Sequence, residues 1–148
     1  MGFLRSLGRK KTMFKVSYRE LRSDTFRQAI GKLATCQEFK SPQISYKVGK
    51  VVRDVEKELK KSQKAWLDLA DPLVARDDKG NFKLSDIEGF TFKEGVDPEA
   101  ARKKIESFVE VEALFDHPKF KLDDLGPAKL SPIELLQIEP MLVQLEAL

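Results

Sequence analysis

Residues 41–73 read SPQISYKVGKVVRDVEKELKKSQKAWLDLADPL, and the spacing of apolar residues in this stretch decides the fold. Val48, Val52, Val55, Leu59, Trp66, Leu69 and Leu73, with Ser62 in the one gap, recur at intervals of 4-3-4-3-4-3-4. That period draws one narrow stripe along a helix and asks for a packing partner. The remaining faces carry Lys50, Arg53, Lys57, Lys60, Lys61 and Lys64, with Asp54, Glu56 and Glu58 among them. Ser41 is a suitable N-cap, and Pro42 fits the first helical position, where a missing N–H costs nothing. Pro72 disfavours helical geometry at Asp71 and ends the element. At 1.5 Å per residue such a helix is roughly 40–45 Å long. The stripe holds no reactive group, so the stretch reads as scaffold.

Upstream, the chain predicts a first helix from Ser17 or Asp24 to about Gln37, with Asp24 as N-cap. Phe26, Ala29, Ile30 and Leu33 share one face. Its turn at Phe39 to Pro42 lays it antiparallel to the long helix, so residues 17–72 read as a helical hairpin. Cys36, the single cysteine, reads as a buried, inert thiol, and one cysteine excludes an intramolecular disulfide framework. Residues 1–15 read as a basic arm in which Arg5, Arg9, Lys10, Lys11 and Lys15 surround Phe3, Leu4, Leu7 and Phe14.

Downstream, residues 73–148 read as a β-rich lobe, completing a single α+β domain over 16–148. Leu73–Ala75 and Phe82–Leu84 flank the turn Arg76-Asp77-Asp78-Lys79-Gly80-Asn81 as a β-hairpin. Counted from Asp77 the turn mimics a calcium loop. Lys79 and Phe82 stand where an acid or amide and a glycine are needed, and calcium is excluded. Ile87, Phe90 and Phe92 cover the hairpin. Asp97-Pro98-Glu99 opens a short helix carrying Ala101, Ile105 and Phe108. Residues 108–115 alternate as a strand, with Val109, Val111 and Ala113 on one side and Glu110 and Glu112 on the other. Phe120 and Leu122 continue it after an exposed turn at His117-Pro118. Ser131-Pro132-Ile133-Glu134 is a capping box, and the last helix carries Ile133, Leu136 and Ile138. The fold class expected is α+β: a long antiparallel helical hairpin with a small antiparallel sheet and short helices at one end.

The net charge of +3 on 148 residues conceals an asymmetry. Residues 1–64 hold 17 Lys/Arg against 6 Asp/Glu, and residues 65–148 hold 10 against 18. A basic end of this kind suits an acidic protein surface, copies of the chain stacked head to tail, or nucleic acid bound non-specifically. His117 is the only histidine, the glycines are scattered, and the acidic pairs sit in turns or on an outward strand face. These features offer no catalytic, cofactor-binding or metal-ligating set, and no small-molecule substrate. No apolar run approaches the ~18 residues of a membrane span, and the N-terminal segment lacks the core of a secretory signal.

Ser41-Pro42-x-x-x-Tyr46-Lys47-Val48, Val55-Glu56-Lys57-Glu58-Leu59 and the Asp77-Asp78-Lys79-Gly80-Asn81 turn carry a resemblance. Val109-Glu110-Val111-Glu112 and Leu122-x-x-Leu125 through Leu130-Ser131-Pro132-x-x-Leu135 extend it. Together they resemble small proteins encoded in tailed-bacteriophage genomes near the structural and lysis genes, over residues 17–142. The resemblance implies a virion or assembly role, with assembly in the host cytoplasm, and transfers no functional residues. The function expected is therefore non-enzymatic: an accessory capsid or tail component bound to other virion proteins or to itself. Arg5, Arg9, Lys10, Lys11, Lys50, Arg53, Lys57, Trp66 and Leu69 are the candidate contact residues. A nucleic-acid-associated protein and an assembly chaperone are the alternatives.

Overall fold

The computed structural model describes residues 13–83 and 89–143. Its central element is one unbroken helix, α3 (Pro42–Ala70), of 29 residues. The Ser41 hydroxyl accepts from the Ile44 amide, Pro42 occupies the first turn, and Asp71 before Pro72 closes the helix. Val48, Val52, Val55 and Ser62 of the expected stripe are buried, and Leu59, Trp66, Leu69 and Leu73 are half-buried. Val51 is buried too, so the inward face is wider than a coiled-coil seam. Each such valine contributes roughly 1.5–3 kcal/mol relative to exposure. Ser62 sits within the stripe because its hydroxyl donates to the Leu59 carbonyl at 2.8 Å, which leaves no polar group unpaired.

Among the described residues, the two helices before it, the helix that follows Asp97 and the strand Glu112–Phe115 pack on this helix. β1 (Phe14–Ser17) leads into α1 (Tyr18–Leu21) and α2 (Asp24–Thr35). Of the two starts expected for the first helix, Asp24 begins α2, and Ser17 caps the separate turn α1, because two serines cap in succession. Ser17 accepts from the Glu20 amide and Ser23 from that of Phe26, so Ser23, not Asp24, is the N-cap of α2. The Phe26, Ala29, Ile30, Leu33 face is buried as its spacing requires. α2 packs on both α3 and α6 (Pro132–Gln137), and its 12 residues cover less than half of α3.

β1 pairs antiparallel with β2 (Glu112–Phe115) in the register Phe14 to Phe115 and Val16 to Ala113. Those four residues point inward, and the Phe14 and Phe115 rings stack at 5.2 Å. Phe14 and Lys15, read from sequence as the end of a basic arm, are therefore strand. A strand partner some hundred residues away leaves no local trace at β1. β2 is shorter than expected. Phe108 and Val109 belong to α4 (Pro98–Val109), Val111 is exposed, and Ala113 and Phe115 carry the buried face. Phe120 makes a parallel bridge to Leu142, and Leu122 starts α5 (Leu122–Leu125) where strand was expected.

The turn after α3 is a minimal hairpin. Arg76 bridges Phe82, and Val74 bridges Phe92. The Asp77 carboxylate accepts from the Lys79 and Asn81 amides at 2.9 and 3.0 Å, holding the turn itself. Leu84 and Ile87 lie outside the described residues. α6 has the full capping box, with Ser131 and Glu134 exchanging side-chain and amide bonds. Among the described residues no helix is long and apolar enough to cross a membrane.

Candidate functional site

Three features bear on function: one at the C-terminal end of α3, one on its outer face and one in buried polar links. The first is an aromatic junction at the C-terminal end of α3. Trp66 lies 5.5 Å from Phe90, 5.6 Å from Phe108 and 6.1 Å from Phe82, ring centre to ring centre. The Arg22 guanidinium sits 5.3 Å over Trp66 and 5.4 Å over Phe108, and donates to the Ser62 carbonyl at 3.3 Å. Burial lowers the Arg22 pKa first, with the charge of Arg27 adding to it. Trp66, expected to reach for a partner, is instead half-buried against its own chain, joining α3, α4, the minimal hairpin and the Arg22 turn. Leu69 is half-buried in the floor of a 420 Å³ depression with Phe108 and Val111, and Lys103 and Lys104 stand on its rim.

The second feature is the outer face of α3. Tyr46, Lys50, Arg53, Lys57, Lys60 and Lys64 are all exposed and repeat the 4-3-4-3-4 spacing on the side opposite the buried stripe. Lys50 lies 5.4 Å over the Tyr46 ring, and Arg53 approaches the Asp54 carboxylate at 3.5 Å. Lys57, Lys60 and Lys64 have no ion-pair partner among the described residues. Lys50, Arg53 and Lys57, expected as contact residues, are thus together on one open face. Arg5, Arg9, Lys10 and Lys11 lie outside the described residues.

The third feature is a pair of buried polar links that sequence reasoning missed. His117, expected in an exposed turn, is buried, and its Nε2 lies 2.6 Å from Asp54 Oδ2. Its partner is 63 residues away, so its own turn context gave no signal. Burial raises the Asp54 pKa, but the hydrogen bond and charge of His117 and the nearby Arg53 outweigh it and leave the group lowered. Glu134 is buried at the α2–α6 contact, where Lys32 donates to it at 2.7 Å and the Ser131 amide at 2.8 Å. The Lys32 bond and then the Ser131 bond hold its carboxyl below the ordinary 4.5.

These two groups set an acid limit. A carboxyl whose folded pKa lies below its unfolded one adds stability that is complete above the unfolded value. That stability is lost as pH falls through the folded value. Urea unfolding of the wild type is expected to hold steady down to about pH 4.5 and to weaken below it. Glu134→Gln is expected to lower the midpoint at pH 7 and to flatten the acid limb. Parallel pH profiles for the two proteins contradict that assignment.

Glu134 also decides which side of α6 faces out. With Glu134 and Ile138 turned inward, Ile133 and Leu136 are 66% and 69% exposed. Cys36 is half-buried at the end of α2, more accessible than expected. Among the described residues, no three His, Cys, Asp or Glu side chains converge in a way that could hold a metal ion. No protein family, curated protein or solved structure matches this chain.

Proposed function

We propose that this chain is a non-enzymatic structural protein that works by contact, as an accessory capsid or tail component of a phage virion. It assembles in the host cytoplasm and binds neighbouring virion subunits or copies of itself. In this reading α2 and α3 form an antiparallel helical hairpin that serves as a stiff platform, and the basic N-terminal residues reach the neighbour. The observation that carries the reading is the Ile133 and Leu136 pair. Two large apolar side chains one turn apart are presented to solvent by a helix clamped from behind through Glu134 and Lys32. Isolated exposed apolar residues are ordinary, but a rigid adjacent pair suits a subunit contact.

The test pairs the wild type with Ile133→Ser/Leu136→Ser. Wild-type chain is expected to associate in sedimentation experiments or to be retained, with defined copy number, in purified particles. The double variant is expected to lose that association while its stability stays within about 0.5 kcal/mol, as for exposed sites. A monomeric wild type that is also missing from particles contradicts the reading.

A further inference from the structure

We propose that the outer face of α3 is a docking surface for double-stranded nucleic acid, gripped by its phosphate backbone without regard to sequence. Lys50, Arg53, Lys57, Lys60 and Lys64 are exposed and follow one another every three or four residues. At 1.5 Å per residue they form a nearly straight row about 21 Å long. The row is built on the stiffest element of the fold, whose opposite face is buried from Val48 to Ser62. Among the described residues only Arg53 of the row makes an ion pair, with Asp54, so the other four cations are left without a bonded carboxylate.

The composition of the face selects the partner. Protein interfaces hold an apolar or aromatic centre and are depleted in lysine. This face has cations along its whole length, with Tyr46 alone at one end. Single strands are held by aromatic rings interleaved with the cations, and these are missing from the row. A duplex, with one phosphate charge per ~1.7 Å of axis, needs only a row of cations held at fixed spacing. The inference rests on the proposed contact role and concerns a different face from Ile133 and Leu136. Failure here leaves subunit docking standing, and the sedimentation experiment contains no nucleic acid.

The experiment titrates a 30-base-pair DNA duplex of arbitrary sequence with the full chain at several salt concentrations. Wild type is compared with Lys57→Gln/Lys60→Gln/Lys64→Gln and with a charge-matched control, Lys93→Gln/Lys103→Gln/Lys104→Gln. All six positions are exposed, and circular dichroism checks that both variants keep the wild-type helix content. Each lost phosphate contact removes roughly 0.9 from the log–log salt slope, so the row variant is expected to be shallower than wild type by about 2.7. Its affinity at 50 mM salt is expected to fall by roughly two to three orders of magnitude, and the control to stay near wild type. Equal behaviour of the two variants overturns the inference. So does displacement of the duplex by polyglutamate at equal charge, which assigns the face to an acidic protein instead.

Discussion

Trp66→Ala is expected to lower the unfolding free energy by about 3 kcal/mol, and the melting temperature by about 10 °C. The ring is half-buried, so the value sits at the lower end for losing a large aromatic. Its importance comes from what it joins. Phe82 and Phe90 come from the irregular segment after α3, Phe108 from α4, and Arg22 from the turn before α2. Removing the indole leaves a void among three rings and takes away the face over which the Arg22 charge is held. Trp66→Phe keeps part of the cluster and is expected to lose less than half as much. Thermal melts followed by circular dichroism check both. A Trp66→Ala loss under 1 kcal/mol shows that the junction is not what fixes the segment after α3.

Glu56→Pro is the second large effect. Glu56 is exposed near the middle of α3, and among the described residues its side chain makes no bond that would confuse the result. Proline there removes the amide bond to the preceding turn and clashes with it, costing about 3 kcal/mol or more. Because α1, α2, α4 and β2 all pack against the same helix, the damage is expected to spread to the whole domain. Glu56→Ala, at the same site, is expected to stay within about 0.5 kcal/mol. Similar stability in the two variants means that the chain tolerates a break in α3.

The elements that sequence located were those with local chemistry. Ser41-Pro42, Asp97-Pro98 and Ser131-Pro132-Glu134 each place a side-chain acceptor and a proline where a helix can only begin, and each does begin a helix. The α+β class followed from these and from the alternation that ends in β2. What stayed hidden depends on distant partners. β1 is short and set in a basic segment, and it is strand only because Ala113 and Phe115 bring a matching face. His117 is buried only because Asp54 lies across from it. Which side of α6 carries Ile133 and Leu136 into solvent depends on the Lys32 ammonium, which holds Glu134 inward from 102 residues away. The basic row on α3 was legible as charge at regular spacing. That, among the described residues, only Arg53 of the row meets a carboxylate, and that the row lies opposite the buried stripe, needed the fold.

The fold and the docking face proposed on α3 require α3 to be one straight helix with a buried side and an open side. Spin labels at Gln43 and Gln63, both exposed, test this directly once Cys36 is replaced by serine. Twenty residues of helix separate the two backbones by about 30 Å. A single narrow distance distribution near that value is the expected result. A broad distribution, or a mean below about 20 Å, means a broken helix and contradicts both the fold and the docking face.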